Sequence, residues 1–390
     1  MRLSERQRQL DTRLLAFRQL WHPQPFREIR PAWCAQWPAL ADELLALSDA
    51  EAIRLNDDGA AALALLARHL PDVTALQALG EWSVLPSAAL KEQDRFWAWE
   101  IPGRKRQQIE AFAATARHGG QPVLDWCGGK GHLGRLLAQQ WQATVHTLEI
   151  DPVLCAAGEE LARRGAVDQR FVLADALAVG DWPKPGGHAV ALHACGELHR
   201  RLIRRGVEEG AARLDVAPCC YYRGVADNYQ PLSDGLSLVL SRDDTRLAVT
   251  ETVTAAARET RNRDRAMAWK LGFDAWRRAE TGSGYRSFKP VPDAWMRGSF
   301  ADFLGHMSRR EQLSEPAAAH TDRFEELGWQ RWRDVRRLTI VRHAFRRLLE
   351  SWLVLDLAVF MERRGYAVEV GVFCERSLSP RNLLISAERA

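Results

Sequence analysis

The sequence lacks any long apolar run. Hydrophobic residues make up 46% of the 390 positions. However, no stretch approaches the roughly 18 uninterrupted apolar residues of a membrane-spanning helix. The opening stretch, MRLSERQRQLDTRLL, alternates charges with leucines and has no apolar core of a signal peptide. These absences argue against a membrane partner and lead us to expect a cytoplasmic protein.

Cysteine is scarce, and internal repeats and low-complexity tracts are absent. The seven cysteines are odd in number and lie in different segments. They do not form the disulfide framework of a small secreted protein. A reducing compartment is therefore expected, and the length is sufficient for two domains or for one α/β domain with a large insertion.

Formal charge is nearly balanced overall, at +4, but it is unevenly distributed. Residues 251–350 hold 20 basic and 14 acidic side chains, a surplus of +6, so the remainder carries about −2. Arginine and tryptophan interleave there in RETRNRDRAMAWK and WQRWRDVRRLTIVRHAFRR. This pattern suits a phosphate backbone with exposed bases. For any single helix, a solvated face with tryptophan in the core is the simpler interpretation.

Helical spacing dominates the beginning of the chain. Leucine and alanine recur in LLAFRQLW, ADELLALSDAEAIRL and AALALLARHL, with prolines between the first segments. The pattern predicts an N-terminal helical domain over residues 1–100. A further predicted helix, GRKRQQIEAFAATARHG, leads directly into Val123.

Short apolar strands then alternate with helices. The segments VLDWC, TVHTLEI, FVLADA, HAVALHAC and LDVAPCC predict strands. This alternation is typical of a parallel sheet covered on both faces. After a helical stretch the rhythm resumes with the helix FRRLLESWLVLDLAVFMERRG and the strands YAVEVGVFCE and NLLISA. We predict an α/β fold with a doubly wound, Rossmann-like sheet over residues 101–225 and 341–390, closed by a strand pair. The helical insertion spans residues 226–340 and is expected to recognise substrate or RNA.

The first predicted strand runs into a glycine-rich loop, VLDWCGGKGHLGR (residues 123–135). Its GKGHLG satisfies the G-x-G-x-x-G pattern, which alone would favour a nicotinamide or flavin dinucleotide. Asp125 argues otherwise, because a carboxylate in the loop repels a pyrophosphate and suits an ammonium group. S-adenosylmethionine carries an ammonium group at its methionine end.

Two further carboxylates follow the next predicted strands. Glu149 ends the second strand, at the spacing from Asp125 at which an acid accepts both ribose hydroxyls. Asp175, in LADA, matches the residue that usually bonds the adenine amino group. Strand-end acids also cap helices, and Asp151 before Pro152 is such a candidate. Three acids in register on successive strands favour S-adenosylmethionine as the cofactor.

Several motifs resemble those of known methyltransferases. The spacing Asp125-x-Cys127-x-Gly129-x-Gly131 resembles the D-x-G-x-G-x-G loop of class I methyltransferases, with Cys127 as a modest departure because cysteine is small. GKGHLG, LHACGEL (residues 192–198) and PCCYY are similar to motifs of a methyltransferase-like group: G-K-G-H-L-S, L-H-x-C-G-[DE]-L and P-C-C-Y-[HY]. The segments RKR before the loop and SLSPRN near the end also resemble parts of that group, so the resemblance covers residues 100–225 and 340–390.

The resemblance implies a cofactor site and an RNA substrate. The candidate cofactor-binding residues are Asp125, Cys127, Gly128, Gly129, Lys130, Gly131, Glu149, Asp175 and His193. Relatives of the group include the eukaryotic tRNA 2′-O-methyltransferase of the acceptor stem, which carries zinc-binding modules before its catalytic domain. Residues 1–100 hold only Cys34, His22 and His69, too few for such a module. The sequence therefore leaves open how RNA is held.

The acceptor is expected beside the carboxyl ends of the fourth and fifth strands. The candidate catalytic residues are His193, Cys195, Cys219, Cys220, Tyr221 and Tyr222. His193 is the first candidate for proton abstraction because an imidazole titrates near neutral pH, although a structural histidine is an alternative. The tyrosines either stack on a base and orient a hydroxyl or simply pack. Lys130 either meets a phosphate or is an exposed loop lysine.

The cysteines admit a second chemistry. The pair Cys219 and Cys220 resembles the nucleophile of pyrimidine C5 methylation, whose thiolate adds to C6 of the base. Buried structural thiols are the simpler interpretation for at least one of them. A metal site from His193, Cys195 and this pair has suitable ligand types but no C-x-x-C pair, so no metal is predicted.

Three functions remain compatible with these patterns. An S-adenosylmethionine-dependent RNA methyltransferase, acting on a tRNA ribose 2′-hydroxyl or base, is favoured. A methyltransferase for a small molecule or a protein is the first alternative, and a non-catalytic cofactor-binding module is the second. The sequence does not indicate an oligomeric state.

Overall fold

The computed structural model describes residues 1–93, 97–98, 100–251, 257–314 and 318–390. The chain forms two compact units. The first contains Met1–Leu15, Ala78–Val253 and Arg347–Ala390, and the second contains Ala16–Gln77 and Thr254–Arg346. The second unit therefore combines residues from the N-terminal region with residues from the segment between the two parts of the sheet.

Helices account for most of the described residues outside the sheet. They are α1 (Leu3–Ala16), α2 (Arg18–Trp21), α3 (Trp33–Gln36), α4 (Pro38–Ala46), α5 (Asp49–Asp57), α6 (Gly59–Ala67), α7 (Thr74–Gly80), α8 (Gly103–Thr115), α9 (His132–Trp141), α10 (Pro152–Arg164), α11 (Glu197–Glu208), α12 (Arg242–Leu247), α13 (Ala257–Thr281), α14 (Phe300–Glu311), α15 (Ala318–Ala344) and α16 (Arg346–Glu362). Two short 3-10 turns cover Pro71–Val73 and Asp293–Met296. Among the described residues, no helix combines the length and the apolarity needed to cross a bilayer.

One sheet organises the first unit. Its strands are β1 (Val123–Trp126), β2 (Val145–Glu149), β3 (Gln169–Leu173), β4 (His188–Cys195), β5 (Arg213–Cys219), β6 (Tyr366–Val372) and β7 (Leu383–Arg389). The spatial order is β3-β2-β1-β4-β5-β7-β6. Strands β1 to β5 pair in parallel, and β7 pairs antiparallel with both β5 and β6. The predicted doubly wound α/β sheet, closed by a C-terminal strand pair, is confirmed.

The central strands are buried on both faces. Every residue of β1 and of β5 is buried, including the charged residues Asp125, Arg213 and Asp215, as expected for central strands of a parallel sheet covered on both faces. On one face, Phe112 of α8 and Leu136 of α9 form a core with Val123 and Val145 of the sheet. This packing fixes the loop between β1 and α9 against a rigid base.

The strand order reverses between β1 and β4. The chain proceeds from β1 outward to β2 and β3, and then returns to the other side of β1 at β4. In open parallel sheets, ligands bind outside the carboxyl ends of the strands at such a reversal. The loops after β1 and β4 are therefore where the topology favours a site.

The described part of the second unit is helical. Trp269, Phe273 and Trp276 of α13 pack with Phe324 of α15 in a buried cluster. The indole nitrogen of Trp269 donates a hydrogen bond of 2.9 Å to Glu325 Oε1. These two tryptophans of the predicted insertion therefore belong to a core, which was the simpler interpretation of the Arg/Trp pattern.

Candidate active site at the carboxyl edge of the sheet

The loop after β1 is a tight turn with alternating left-handed residues. Cys127, Gly129 and Gly131 have φ values of 57°, 61° and 64°, and α9 begins directly afterwards. A Cβ atom added at Gly128 would lie 2.3 Å from Asp125 Oδ2, whereas Gly129 faces open space. The loop is therefore packed against Asp125 at Gly128 and open at Gly129, where a ligand can approach the backbone closely.

Cys127 occupies a glycine position of the family pattern and adopts a glycine-like conformation. A left-handed φ costs a residue with a side chain about 1–2 kcal/mol. Burial raises the pKa of the Cys127 thiol to about 12, and the negative charges of Glu149 and Asp125 act in the same direction. The thiol is therefore protonated at neutral pH. The prediction that Cys127 is a modest departure from the glycine pattern was based on the small size of its side chain. It did not include the strain of the left-handed backbone at this position.

Asp125 lies beneath the loop, with 2% of its surface exposed. Its Oδ2 accepts hydrogen bonds from the Gly134 N–H at 3.0 Å and from the Thr147 hydroxyl at 3.4 Å. Burial raises its pKa to about 6, although both hydrogen bonds act in the opposite direction. Asp125 also lines the cavity above the loop. It therefore organises the loop and remains available to a cationic ligand group.

Glu149, at the end of β2, ties the second strand to the loop. Its Oε2 accepts the Gly129 N–H at 2.9 Å, and its Oε1 accepts the N–H groups of Ile150 and Asp151 at 2.9 Å and 3.1 Å. An ionised carboxylate offers about four lone-pair positions. The side chain can therefore still accept ribose hydroxyls, as predicted for it.

Asp175 lies beyond the third strand, which ends earlier than predicted. Strand β3 stops at Leu173, and Asp175 Oδ1 accepts the Leu177 N–H at 2.8 Å in the following turn. The side chain is exposed at this edge. Asp151 caps α10 by accepting the Val153 N–H at 2.8 Å, which confirms the capping interpretation of that residue.

The carboxyl edge of the sheet contains a cavity of about 800 Å³. From the first loop, its wall includes Asp125, Cys127, Gly128 and Gly129. From the ends of β4 and β5, it includes His193, Cys195, Cys219 and Cys220. The volume falls within the range of small-molecule and cofactor sites. The structure therefore brings most of the predicted site residues together at the strand reversal.

His193 lies at a bulge near the end of β4, with a left-handed φ of 63°. Its Nδ1 is buried and has no hydrogen-bond partner among the residues that the structure describes. Burial lowers the pKa of His193 to about 4, and the charge of Arg381 acts in the same direction. The prediction that this imidazole titrates near neutral pH is wrong, because burial disfavours the charged form. The ring is neutral and can accept a proton.

Three thiols meet beside His193. The Sγ atoms of Cys195, Cys219 and Cys220 all lie within 4.8 Å of one another, and the first two are 3.5 Å apart. Hydrogen bonds from the other two thiols lower the pKa of Cys220, and the charges of Arg223 and Arg381 act in the same direction. The same contacts raise the pKa of Cys219. A negative charge in this cluster therefore resides on Cys220.

The two tyrosines after β5 do not line the cavity. Tyr221 has no exposed surface, and its ring meets His199 edge-on with the centroids 5.6 Å apart. The guanidinium of Arg246 lies 5.6 Å from the centre of the Tyr222 ring. The predicted role of Tyr221 in stacking on a base is wrong because the residue is enclosed by the core. Tyr222 takes part in packing at the surface.

Lys130 and Gly131 lie outside the cavity wall. Lys130 Nζ forms an ion pair of 2.9 Å with Glu100 Oε2 at the surface, where such pairs contribute little. A Cβ at Gly131 would lie 2.3 Å from Gln169 Nε2. Gly131 is therefore required for packing against β3, and Lys130 matches the simpler interpretation of an exposed loop lysine.

Four basic residues of the cavity wall were not among the sequence candidates: His132, Arg104, Lys105 and Arg381. Burial lowers the pKa of His132 to about 4, and its Nδ1 accepts a hydrogen bond of 3.3 Å from Arg135. The other three bring positive charge to the cavity. All four lie within the GKGHLG, RKR and SLSPRN segments. The motifs pointed to these segments, but one sequence does not show which of their side chains face a ligand.

Residues 104–225 match a family described as a methyltransferase domain. This segment contains nearly all of α8, the strands β1 to β5, and His193 with the three cysteines of the cluster. The cofactor of this domain is S-adenosylmethionine, in agreement with the prediction from the three acids.

Curated relatives match about a third of the chain. Glutathione S-transferase C-terminal domain-containing proteins of Xenopus laevis and Homo sapiens are 26% and 27% identical over 152 and 146 residues. The matches cover 36% of this chain in both cases, and 23% and 22% of the relatives. The chain thus spans less than a quarter of the length of these relatives.

Solved structures that match parts of this chain include several methyltransferases. The Pyrococcus abyssi tRNA (uracil-54, C5)-methyltransferase, in complex with S-adenosyl-L-homocysteine, is 19% identical over 30% of this chain and 28% of its own, with a TM-score of 0.25. The Synechocystis magnesium protoporphyrin IX methyltransferase is 12% identical over 77% and 90%, with a TM-score of 0.32. Such scores say nothing about substrate. Residues 104–225 are therefore similar to a methyltransferase domain, and the strands within them form the parallel part of the doubly wound sheet.

Proposed function

We propose that the protein transfers a methyl group from S-adenosylmethionine to RNA, with tRNA favoured and a ribose 2′-hydroxyl or a base as the acceptor. The observation that carries this proposal is the charge of the cavity wall. Arg104, Lys105 and Arg381 line the same cavity as the glycine loop and His193. Cationic side chains beside a methyl donor suit an acceptor that carries phosphates.

The residues present fit the cofactor. The open face of Gly129 provides room beside the loop backbone. Asp125 of β1 lines the cavity, whereas Glu149 at the end of β2 and Asp175, beyond the end of β3, lie outside its wall. Asp125 is assigned to the ammonium group, Glu149 to the ribose hydroxyls and Asp175 to the adenine amino group. When bound, the cofactor supplies a methyl group already activated by its sulfonium.

The remaining work of the chain is alignment, exclusion of water and removal of a proton. Trp126 and Leu133 line the cavity and are 1% and 5% exposed, so this part of the wall is dry. His193 is neutral, and in the described part of the chain its Nδ1 has no hydrogen-bond partner. It is assigned to accept the proton of the acceptor hydroxyl. A weak base is adequate because the donor is already activated.

The basic residues of the second unit divide into two sets. Arg331 donates to the Ile29 carbonyl at 2.9 Å, and Arg337 donates to the Leu47 carbonyl at 2.8 Å. These arginines stabilise their own unit. Near the start of α13, in contrast, the arginines at 258, 261 and 263 are exposed. We assign phosphate contacts to the exposed set.

The low pKa of Cys220 supports a second candidate, methylation of a pyrimidine at C5. In that reaction the Cys220 thiolate adds to C6 of the base and leaves again after the C5 proton has been removed. Cys220 lines the cavity, and two neighbouring thiols and two arginines favour its ionised form. Hydroxyl methylation remains the first choice because proteins with a similar cysteine pair are associated with it.

Nucleoside mass spectrometry of tRNA from a strain that lacks the gene tests the proposal. One methylated nucleoside should disappear and should return with the wild-type gene. A ribose-methylated nucleoside identifies the first candidate. A C5-methylated pyrimidine identifies the second, and 5-fluoropyrimidine RNA should then form an adduct with Cys219→Ser but not with Cys220→Ser. An unchanged nucleoside pattern, together with methyl transfer to a small molecule or protein, contradicts the RNA proposal.

Salt-dependent binding tests the role of the cationic wall. Lys105→Ala and Arg381→Ala should each weaken tRNA binding and reduce the slope of log K against log salt by about one. Lys184→Ala, on the loop before β4, is the matched control and should leave the slope unchanged. Binding of S-adenosylhomocysteine without any methyl transfer would indicate a non-catalytic module.

A further inference from the structure

The thiols of Cys195, Cys219 and Cys220 form a close cluster of possible metal ligands. Within the part of the chain that the structure describes, no other set of three or more His, Cys, Asp or Glu side chains holds its ligand atoms close enough to share one ion. The sulfur atoms lie within 4.8 Å of one another. The separation of the first two is 3.5 Å.

Strand pairing and local backbone shape bring these thiols together. Cys195 and Cys219 are direct partners on the parallel strands β4 and β5, after a bulge that follows Leu192. Side chains on a regular strand alternate between faces, so Cys220 would point away from Cys219. Instead, Cys220 has a left-handed φ of 45°, and its sulfur remains with the other two. Such conformations are costly for a residue with a side chain and concentrate at functional sites.

We propose that Cys195, Cys219 and Cys220 bind a zinc ion. Thiolate sulfurs bind zinc at about 2.3 Å, which separates the sulfurs of a tetrahedral site by about 3.8 Å. The observed spacing requires only small side-chain movements to reach this geometry. The earlier expectation of no metal rested on the absence of a C-x-x-C pair, but the sheet provides the equivalent proximity across two strands.

The surroundings suit an open site with three protein ligands. All three cysteines line the cavity, so a fourth position is left for water or for a cavity ligand. Arg223 and Arg381 act electrostatically on Cys220, and their charges offset part of the excess negative charge of three thiolates around one divalent ion. Two of the cysteines are partly exposed, which provides an entry path. The site does not depend on the proposed RNA substrate.

Metal analysis of the full-length protein tests the proposal. After incubation with zinc and removal of the excess, we expect about one zinc per chain. Cobalt in its place should give the absorption bands of thiolate charge transfer and tetrahedral geometry. Cys195→Ser, Cys219→Ser and Cys220→Ser should each lower zinc affinity at least about tenfold. Cys155→Ser, a buried cysteine outside the cluster, is the matched control and should bind as the wild type does.

A second measurement on the wild-type protein avoids reliance on variants that fail to fold. Zinc should protect the three cysteines from alkylation, while Cys127, which also lines the cavity, stays as reactive as it is without zinc. Absence of bound zinc and of cobalt bands overturns the proposal. A disulfide between Cys195 and Cys219 in protein kept under reducing conditions overturns it as well, as do serine variants that retain wild-type affinity. Calorimetry with S-adenosylhomocysteine reports separately on the cofactor site.

Discussion

The loop after β1 and the ends of β4 and β5 line one cavity, but they are shaped in different ways. In the loop, two of the three left-handed residues are glycines, Gly129 and Gly131. At the strand ends, the left-handed residues that line the cavity are His193 and Cys220, which carry reactive side chains. Strain is therefore small where the backbone is proposed to meet the cofactor, and it is retained where a side chain is proposed to face the acceptor.

This difference explains why the glycine loop was easier to predict from the sequence than the residues at the strand ends. A turn that requires glycine leaves a recognisable spacing in the sequence. A strained histidine or cysteine looks like any other residue of its kind until the register of its strand is known. Variants that add or remove a side chain in the loop, or replace a side chain at the strand ends, test the comparison.

Replacing Gly128 by alanine should have the largest effect. The new Cβ would lie 2.3 Å from the Asp125 carboxylate, so the loop must shift and should lose cofactor binding, with a destabilisation of about 3 kcal/mol. Gly129→Ala meets no atom within 4 Å and adds only φ strain of about 1 kcal/mol. Thermal unfolding and calorimetry with S-adenosylhomocysteine measure both variants. Equal losses in the two would show that contact with Asp125 does not limit the loop.

His193→Asn should come next and should affect the acceptor side alone. Asparagine tolerates a left-handed φ but cannot accept the acceptor proton as imidazole does. We expect the turnover number for methyl transfer to fall about 100-fold, with the dissociation constant of S-adenosylhomocysteine unchanged. A fall in cofactor affinity of similar size would contradict the division of the cavity into two sides.

Cofactor affinity should depend on pH through Asp125. In the free protein the pKa of Asp125 is raised to about 6. The neutral carboxyl therefore stabilises the fold at low pH, and this stabilisation is lost as the pH rises through about 6. A ligand ammonium favours the carboxylate, so binding releases a proton and affinity should rise toward pH 6 by at most about tenfold per unit. Calorimetry with S-adenosylhomocysteine between about pH 5 and pH 7 measures this slope. Asp125→Asn should show a flat profile, and a slope that persists in this variant would assign the proton to another group.

Cys127→Gly should have the smallest effect. Glycine removes strain of about 1–2 kcal/mol at this left-handed position, but it adds flexibility to the unfolded chain that costs about 0.5–1 kcal/mol. The free energy of unfolding should change by less than about 1 kcal/mol, and cofactor binding should persist. Urea unfolding measures the change. A large destabilisation would mean that the thiol itself is needed in the loop.

The positions of particular residues show which features of the site could be predicted from the sequence. Asp125, Glu149 and the glycines were found because they occur in or directly after the ends of strands at fixed spacing, and they lie at the predicted edge of the sheet. Asp175 was assigned to a strand that stops at Leu173, because a short-range pattern does not fix strand ends. Tyr221 was expected at the acceptor, but which face of β5 is enclosed depends on the helices that cover it.

By itself the sequence determined the doubly wound sheet, the glycine loop and the cofactor, because apolar periodicity and glycine spacing are local properties. Only the tertiary structure decided that His193 is buried and neutral and that Cys195 meets Cys219. It also decided that Arg104, Lys105 and Arg381 share one cavity. These outcomes depend on strand register, on a bulge in β4 and on the return of the C-terminal strand pair. These features of the tertiary structure bring together residues that are distant in the chain. Local sequence patterns do not predict such contacts.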